Sequence, residues 1–172
     1  MTTPVPAPRP ERLAELLDTI DGFTDPADRA SLLLSFADQF REVPPEVASR
    51  PFACANRVPH CESEAYVWAV EQADGTLKLH FAVENPSGVS AKALATILDR
   101  TLSGLAPAQM AAVPDDLVER LFRQNISMGK GLGLRSMVLA VQALARSAAA
   151  RRTNRPVGSA SAPELAVPGP GS

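Results

Sequence analysis

Residues 64–85 read EAYVWAVEQADGTLKLHFAVEN, and this stretch decides the fold. Tyr66, Val67, Trp68 and Val70 favour a strand. Asp74-Gly75 is a tight-turn signal between two strand-like runs. In the second run Leu77, Leu79 and Phe81 alternate with Thr76, Lys78 and His80, a period of two. The spacing predicts a hairpin with Leu77, Leu79 and Phe81 toward a core. Lys78 and His80 then face out, and His80 reads as a solvent-facing strand residue. A bare hairpin is only marginally stable, so a third strand is expected somewhere in residues 43–63.

Working outward, the flanks read as helices. In ERLAELLDTIDGF, from Glu11, Leu13, Leu16, Leu17 and Ile20 share one face, and Gly22 ends the run. In TDPADRASLLLSFADQF, Thr24 or Asp25 can cap a second helix, with Pro26 in its first turn. Leu33, Phe36, Ala37 and Phe40 make its stripe. Pro44 and Pro45 stop it. Residues 43–63, with Pro51 and Pro59 as well, form one long irregular loop that ends near Cys61. After the hairpin, Ser90 is the expected cap of a helix burying Ala93, Leu94, Ile97, Leu98 and Leu102. Two short helices break at Pro114, the second with Asp115 or Asp116 in its first turn. A glycine-rich loop around 129–133 then feeds a long last helix with Leu134, Met137, Val138, Val141 and Leu144 buried. The order predicts an α+β fold, a small antiparallel sheet packed against several helices.

Residues 1–10, with four prolines, read as a flexible arm, residues 11–150 as one folded domain, and residues 151–172 as a disordered Pro/Gly/Ser/Ala tail. At 45% hydrophobic and 21% charged, the chain can bury a core without staples. A net charge of −2 gives it no general attraction to nucleic acid or anionic membranes. No apolar run approaches the ~20 residues that span a bilayer. The N-terminus MTTPVPAPRPERL lacks the apolar centre of a secretory signal, so a cytoplasmic location is expected.

Chemistry concentrates in RVPHCESEAYVW, residues 57–68. Cys61 follows Pro59 and sits among Arg57, His60, Glu62, Ser63 and Glu64. It reads either as a small buried hydrophobe or as a reactive thiol at an accessible loop tip, and its polar neighbours favour the thiol. Arg57 and His60 would stabilise a thiolate; Glu62 and Glu64 would oppose it. His60 is too close in sequence to act as a general base on Cys61. Zinc sites pair ligands about two to four residues apart, a spacing that Cys54, His60, Cys61 and His80 do not offer. Cys54 reads as a packed loop residue or as a second thiol able to pair with Cys61 on oxidation. SMGKGLGL, residues 127–134, lacks the glycine spacing of a phosphate loop, and Lys92 and Lys130 read as solvated charges.

Three stretches together resemble the SufE family of sulfur acceptors, over roughly residues 10–150. NRVPHCESEAYVW matches through Cys61, Ser63 and Val67-Trp68; VSAKALATIL through Val89, Lys92 and Leu94; ISMGKGLGLRSMVLAVQALA through Ser127, Gly133, Leu134 and Met137. The chain departs from the family in having Glu62 and Glu64 for glutamines, two added residues before Trp68, Ala93 for glycine, and Lys130 for arginine. The resemblance implies a SufE/NifU-like fold. It also implies a sulfur carrier that takes persulfide sulfur onto Cys61 from a pyridoxal-phosphate-dependent, SufS-type cysteine desulfurase, stimulates that enzyme, and passes the sulfur to a SufBCD-type iron–sulfur scaffold. Arg57, His60, Lys92 and Lys130 would place the loop or meet the partner. The carrier itself would need no metal and no cofactor, and a homodimer is compatible with it. The alternative is an iron–sulfur or zinc-binding scaffold of the same pathway.

Overall fold

The computed structural model describes residues 10–123 and 126–155. The hairpin forms where the alternation places it: β1 (Ala65–Glu71) pairs antiparallel with β2 (Leu77–Val83), Ala65 opposite Val83 and Glu71 opposite Leu77. Gly75 takes a left-handed φ of 84° in the turn, a conformation that glycine adopts without strain. The Asp74 carboxylate accepts from the Thr76 amide and hydroxyl, and these bonds hold it below its ordinary pKa.

Among the described residues the expected third strand is absent; single bridges take its place. Glu42 bridges Phe81 on the outer edge of β2, and Arg57 bridges Tyr66 on the outer edge of β1. Val43 N donates to Phe81 O and Val58 N to Ala65 O, each at 2.8 Å. Prolines interrupt the run of donors that a full strand needs, so the loop can close each sheet edge only at isolated points.

Six α-helices among the described residues surround the hairpin: α1 (Glu11–Asp21), α2 (Pro26–Asp38), α3 (Val89–Leu102), α4 (Pro107–Met110), α5 (Leu117–Phe122) and α6 (Met128–Thr153). Their buried faces follow the stripes read from sequence. Leu13, Leu17 and Ile20 of α1, Leu94, Ile97 and Leu98 of α3, and Met137 and Val141 of α6 meet Val67, Leu77, Leu79 and Phe81 in one core. Asp25 is the cap of α2, its side chain accepting from Ala27 N. Ser90 is not the cap of α3; Gly88 occupies that position, and no side chain caps this helix.

The glycine-rich loop before the last helix is also corrected. Gly129, Gly131 and Gly133 lie inside α6, whose cap is Ser127. That helix runs to Thr153, past the expected start of a tail at residue 151. Arg152 there binds Glu71 Oε1 and the Gly75 carbonyl, tying the helix end to the hairpin turn. The expected arm over residues 1–9 and the tail from 156 lie outside the described residues.

Two buried polar side chains knit the helices together. Arg29 of α2 donates to Ile20 O at the end of α1 and to Arg120 O in α5, both at 2.8 Å. Gln142 of α6 donates to Val113 O and Asp115 Oδ1. On the outer face of β1, Tyr66 and Trp68 stack at 6.1 Å, and Phe52 from the proline-rich loop meets both rings at 5.1 Å.

Candidate functional site

Cys61 lies on a short loop pinned at its base. Val58 N bonds to Ala65 O, Glu64 N to Cys61 O at 3.0 Å, Asn85 N to Ser63 O and Glu84 N to Glu64 O. The Cys61–Glu64 turn therefore sits directly on the end of the hairpin. His60 (φ 56°) and Glu64 (φ 49°) on either side take left-handed backbone, which costs a non-glycine residue about 1 kcal/mol or more. Surrounding contacts must hold them there. Arg57, exposed, reaches Glu64 across 3.9 Å, a weak surface pair.

Helix α6 supplies the main contact. A Cβ on Gly133 would stand 3.0 Å from both Cys61 Cα and His60 O, so the loop backbone rests on the bare face of that residue. Gly88, at the start of α3, is crowded in the same way by Ser63 Cβ and a Val83 methyl. Two glycines thus let the thiol loop settle between the start of α3 and the second turn of α6. As a result Cys61 is half-buried and packs against the core rather than standing at an accessible tip.

Two recesses meet at Cys61. In one, of about 330 Å³, Cys61 is joined by Ser63, Ser90, Gly129 and Lys130, with the uncapped start of α3 forming a wall. Backbone N–H groups at such a helix start carry partial positive charge, and Lys130 adds a full one. The other, of about 560 Å³, is open and holds Cys61 with Cys54, Arg57, His60 and Glu62. Upstream, Arg50 binds Glu42 and Glu84 together and lies 4.9 Å over the Phe52 ring. Its hydrogen bonds hold the Glu42 carboxyl below the ordinary carboxylate value. This network fastens the proline-rich arm that leads to Cys54 and Cys61; sequence reading did not find it, because its members are scattered over about forty positions.

Of the residues singled out in the sequence, Arg57, His60, Cys61 and Lys130 are brought together around the two recesses. Lys92 lines neither; its charge acts on Glu42 instead. His80 is not the solvent-facing residue expected. It is half-buried in a separate recess with Lys78, Asp99 and Arg41. Burial, and secondarily the Lys78 charge, lowers its pKa against an opposing pull from Asp99. Ser90, expected as a cap, lines the thiol recess. Among the described residues no group of three or more His, Cys, Asp or Glu side chains is placed to hold a metal ion, and no helix is long and apolar enough to cross a membrane.

A family model described as SufE, Fe-S metabolism associated domain, matches residues 14–145. The solution structure of a hypothetical protein from Thermus thermophilus is similar, with a TM-score of 0.65 at 25% identity. The match covers 83% of this chain and 99% of that one. No curated protein matches the chain.

Proposed function

Since the chain belongs to the SufE family of Fe-S metabolism associated domains, we propose that it is a sulfur carrier with Cys61 as the acceptor. The donor is the persulfide of a pyridoxal-phosphate-dependent cysteine desulfurase. The Cys61 thiolate attacks the outer sulfur of that persulfide. A new S–S bond forms at Cys61, the donor's S–S bond breaks, and the desulfurase thiolate leaves with the electron pair. Removing the product frees the desulfurase for its next turnover, which is how the carrier stimulates it. The outer sulfur then passes to a scaffold that assembles clusters. The reaction belongs in the cytoplasm.

One observation carries this reading: Cys61 is half-buried where two recesses meet, one of them walled by an uncapped helix start and Lys130. A persulfide is an anion at neutral pH and is vulnerable to oxidants. The narrower side, with Lys130, shelters its charge, and the more open side admits a partner's thiol. Exchange between thiols needs no triad, so the lack of a suitably spaced general base for Cys61 in the sequence fits.

The test is to incubate the protein with a cysteine desulfurase and isotopically labelled cysteine, then map added sulfur by mass spectrometry. One labelled sulfur on Cys61, lost in Cys61→Ser together with stimulation of the desulfurase, is expected. Label on Cys54 first, or none, overturns the reading. Stoichiometric iron or zinc in the purified protein would point to the scaffold alternative instead.

A further inference from the structure

Cys54 has no part in the acceptance step, yet it opens onto the same recess as Cys61. It starts a single 3-10 turn (Cys54–Asn56) and is exposed, whereas Cys61 is half-buried. The chain between them is held alongside the thiol loop. Asn56 Nδ2 donates to Val67 O at 3.0 Å, and Val58 N donates to Ala65 O. The middle of the segment 54–61 is therefore fixed along β1, and both cysteines at its ends line one recess, with only six residues between them. Bridging them asks for Cα atoms within about 7 Å.

We infer that Cys54 is a resolving thiol that discharges a Cys61 persulfide when no acceptor takes its sulfur. The step rests on the proposed carrier role, because it begins from sulfane sulfur on Cys61. The Cys54 thiolate attacks the inner sulfur, Cys61 Sγ. The Cys54–Cys61 bond forms, the bond to the outer sulfur breaks, and that sulfur leaves with the electron pair, taking up the proton that the Cys54 thiol gave up, as hydrosulfide. The two cysteines are oxidised to a disulfide and the sulfane sulfur is reduced to sulfide, so no outside oxidant takes part. Hydrosulfide is a weaker base than an alkyl thiolate, and the weaker base leaves faster, which favours this direction over transfer of the outer sulfur to Cys54. A dithiol reductant returns the protein to its starting state. The outcome is a carrier that releases its sulfur as sulfide and withdraws from service until it is reduced.

The experiment loads the full chain chemically, with inorganic polysulfide under argon, so that it does not depend on any desulfurase. Intact mass, peptide mapping and released sulfide are followed over time. The expected course for the native protein is brief gain of one sulfur on Cys61. It is followed by release of one hydrosulfide per chain and a peptide pair cross-linked through Cys54 and Cys61. In Cys54→Ser the sulfur should stay on Cys61 with at least about tenfold longer lifetime. Equal lifetimes in the two proteins, sulfur found on Cys54, or no sulfur accepted at Cys61 in either, would each overturn the inference. Loss of label transfer from a desulfurase, with this chemical course intact, would instead count against the carrier role alone.

Discussion

His80 shows how one residue's surroundings change its meaning. On an exposed strand it would titrate near 6.5. Here burial comes first and the Lys78 ammonium second, and both disfavour the imidazolium. A folded-state pKa depressed below the unfolded value means that stability is fully present above about pH 6.5 and declines as pH falls through the folded value. The sign is opposite to that of a histidine salt-bridged to a carboxylate. Urea unfolding of the native protein should show a drop in midpoint between about pH 7 and pH 5, and His80→Gln should flatten it. A midpoint that rises on acidification over this range would contradict the assignment. Alternation placed His80 on the outer face correctly. What it could not supply was the recess formed by the end of α2 and the side of α3, because that packing joins residues about forty and twenty positions away in sequence.

At the scale of the element, two of the three glycines near the start of α6, Gly131 and Gly133, have separate roles. Gly131 faces only a methyl of Ile126 at 3.6 Å, ordinary contact. Gly131→Ala should therefore stabilise the protein by about 1 kcal/mol through helix propensity alone. Gly133→Ala has the same helical benefit, but its methyl would press on the backbone of Cys61 and His60 at 3.0 Å. It should destabilise by about 1–3 kcal/mol and slow sulfur acceptance at Cys61 as well. Thermal unfolding of the two variants, with an acceptance assay, separates them; a stabilised and fully active Gly133→Ala would show that the loop does not depend on this contact. The stripe from Leu134 to Val141 was legible in the sequence. The helix start was not, because three glycines in five residues look like loop when read by propensity. Tertiary contact overrides that preference: the missing side chain is what allows the thiol loop to pack.

For the molecule as a whole, order of elements and core residues were readable from periodicity, since each helix and strand has to bury one face. The polar cross-links were not, since they join distant positions through backbone carbonyls. Arg29 is the clearest case. Its exposed-looking place in PADRASLLLSF gives no hint that the residue is 3% exposed and joins α1, α2 and α5. Its charge meets carbonyls at the end of α1, where the helix dipole is negative. Asp21, held nearby by Arg120 at 2.7 Å, has its pKa lowered by that bond. Arg29→Met keeps most of the volume, leaves the Arg120 carbonyl without its side-chain donor and leaves the Ile20 carbonyl with only the Phe23 amide. It should cost about 2–3 kcal/mol, read as a lower urea midpoint with an unchanged slope. A loss under about 0.5 kcal/mol, the usual size for a surface substitution, would mean that the three helices hold together without it.

The ring cluster on the outer face of β1 has an optical consequence. Trp68 is the chain's single tryptophan and Tyr66 its single tyrosine, so all the tryptophan and tyrosine emission of the protein arises at one spot. That spot is seven residues beyond Cys61, and its third ring, Phe52, belongs to the same arm as Cys54. Any event that shifts that arm must change the distance between Phe52 and Trp68. The protein therefore carries its own fluorophore beside its reactive loop, and the motions of that loop can be timed in solution without attaching a dye.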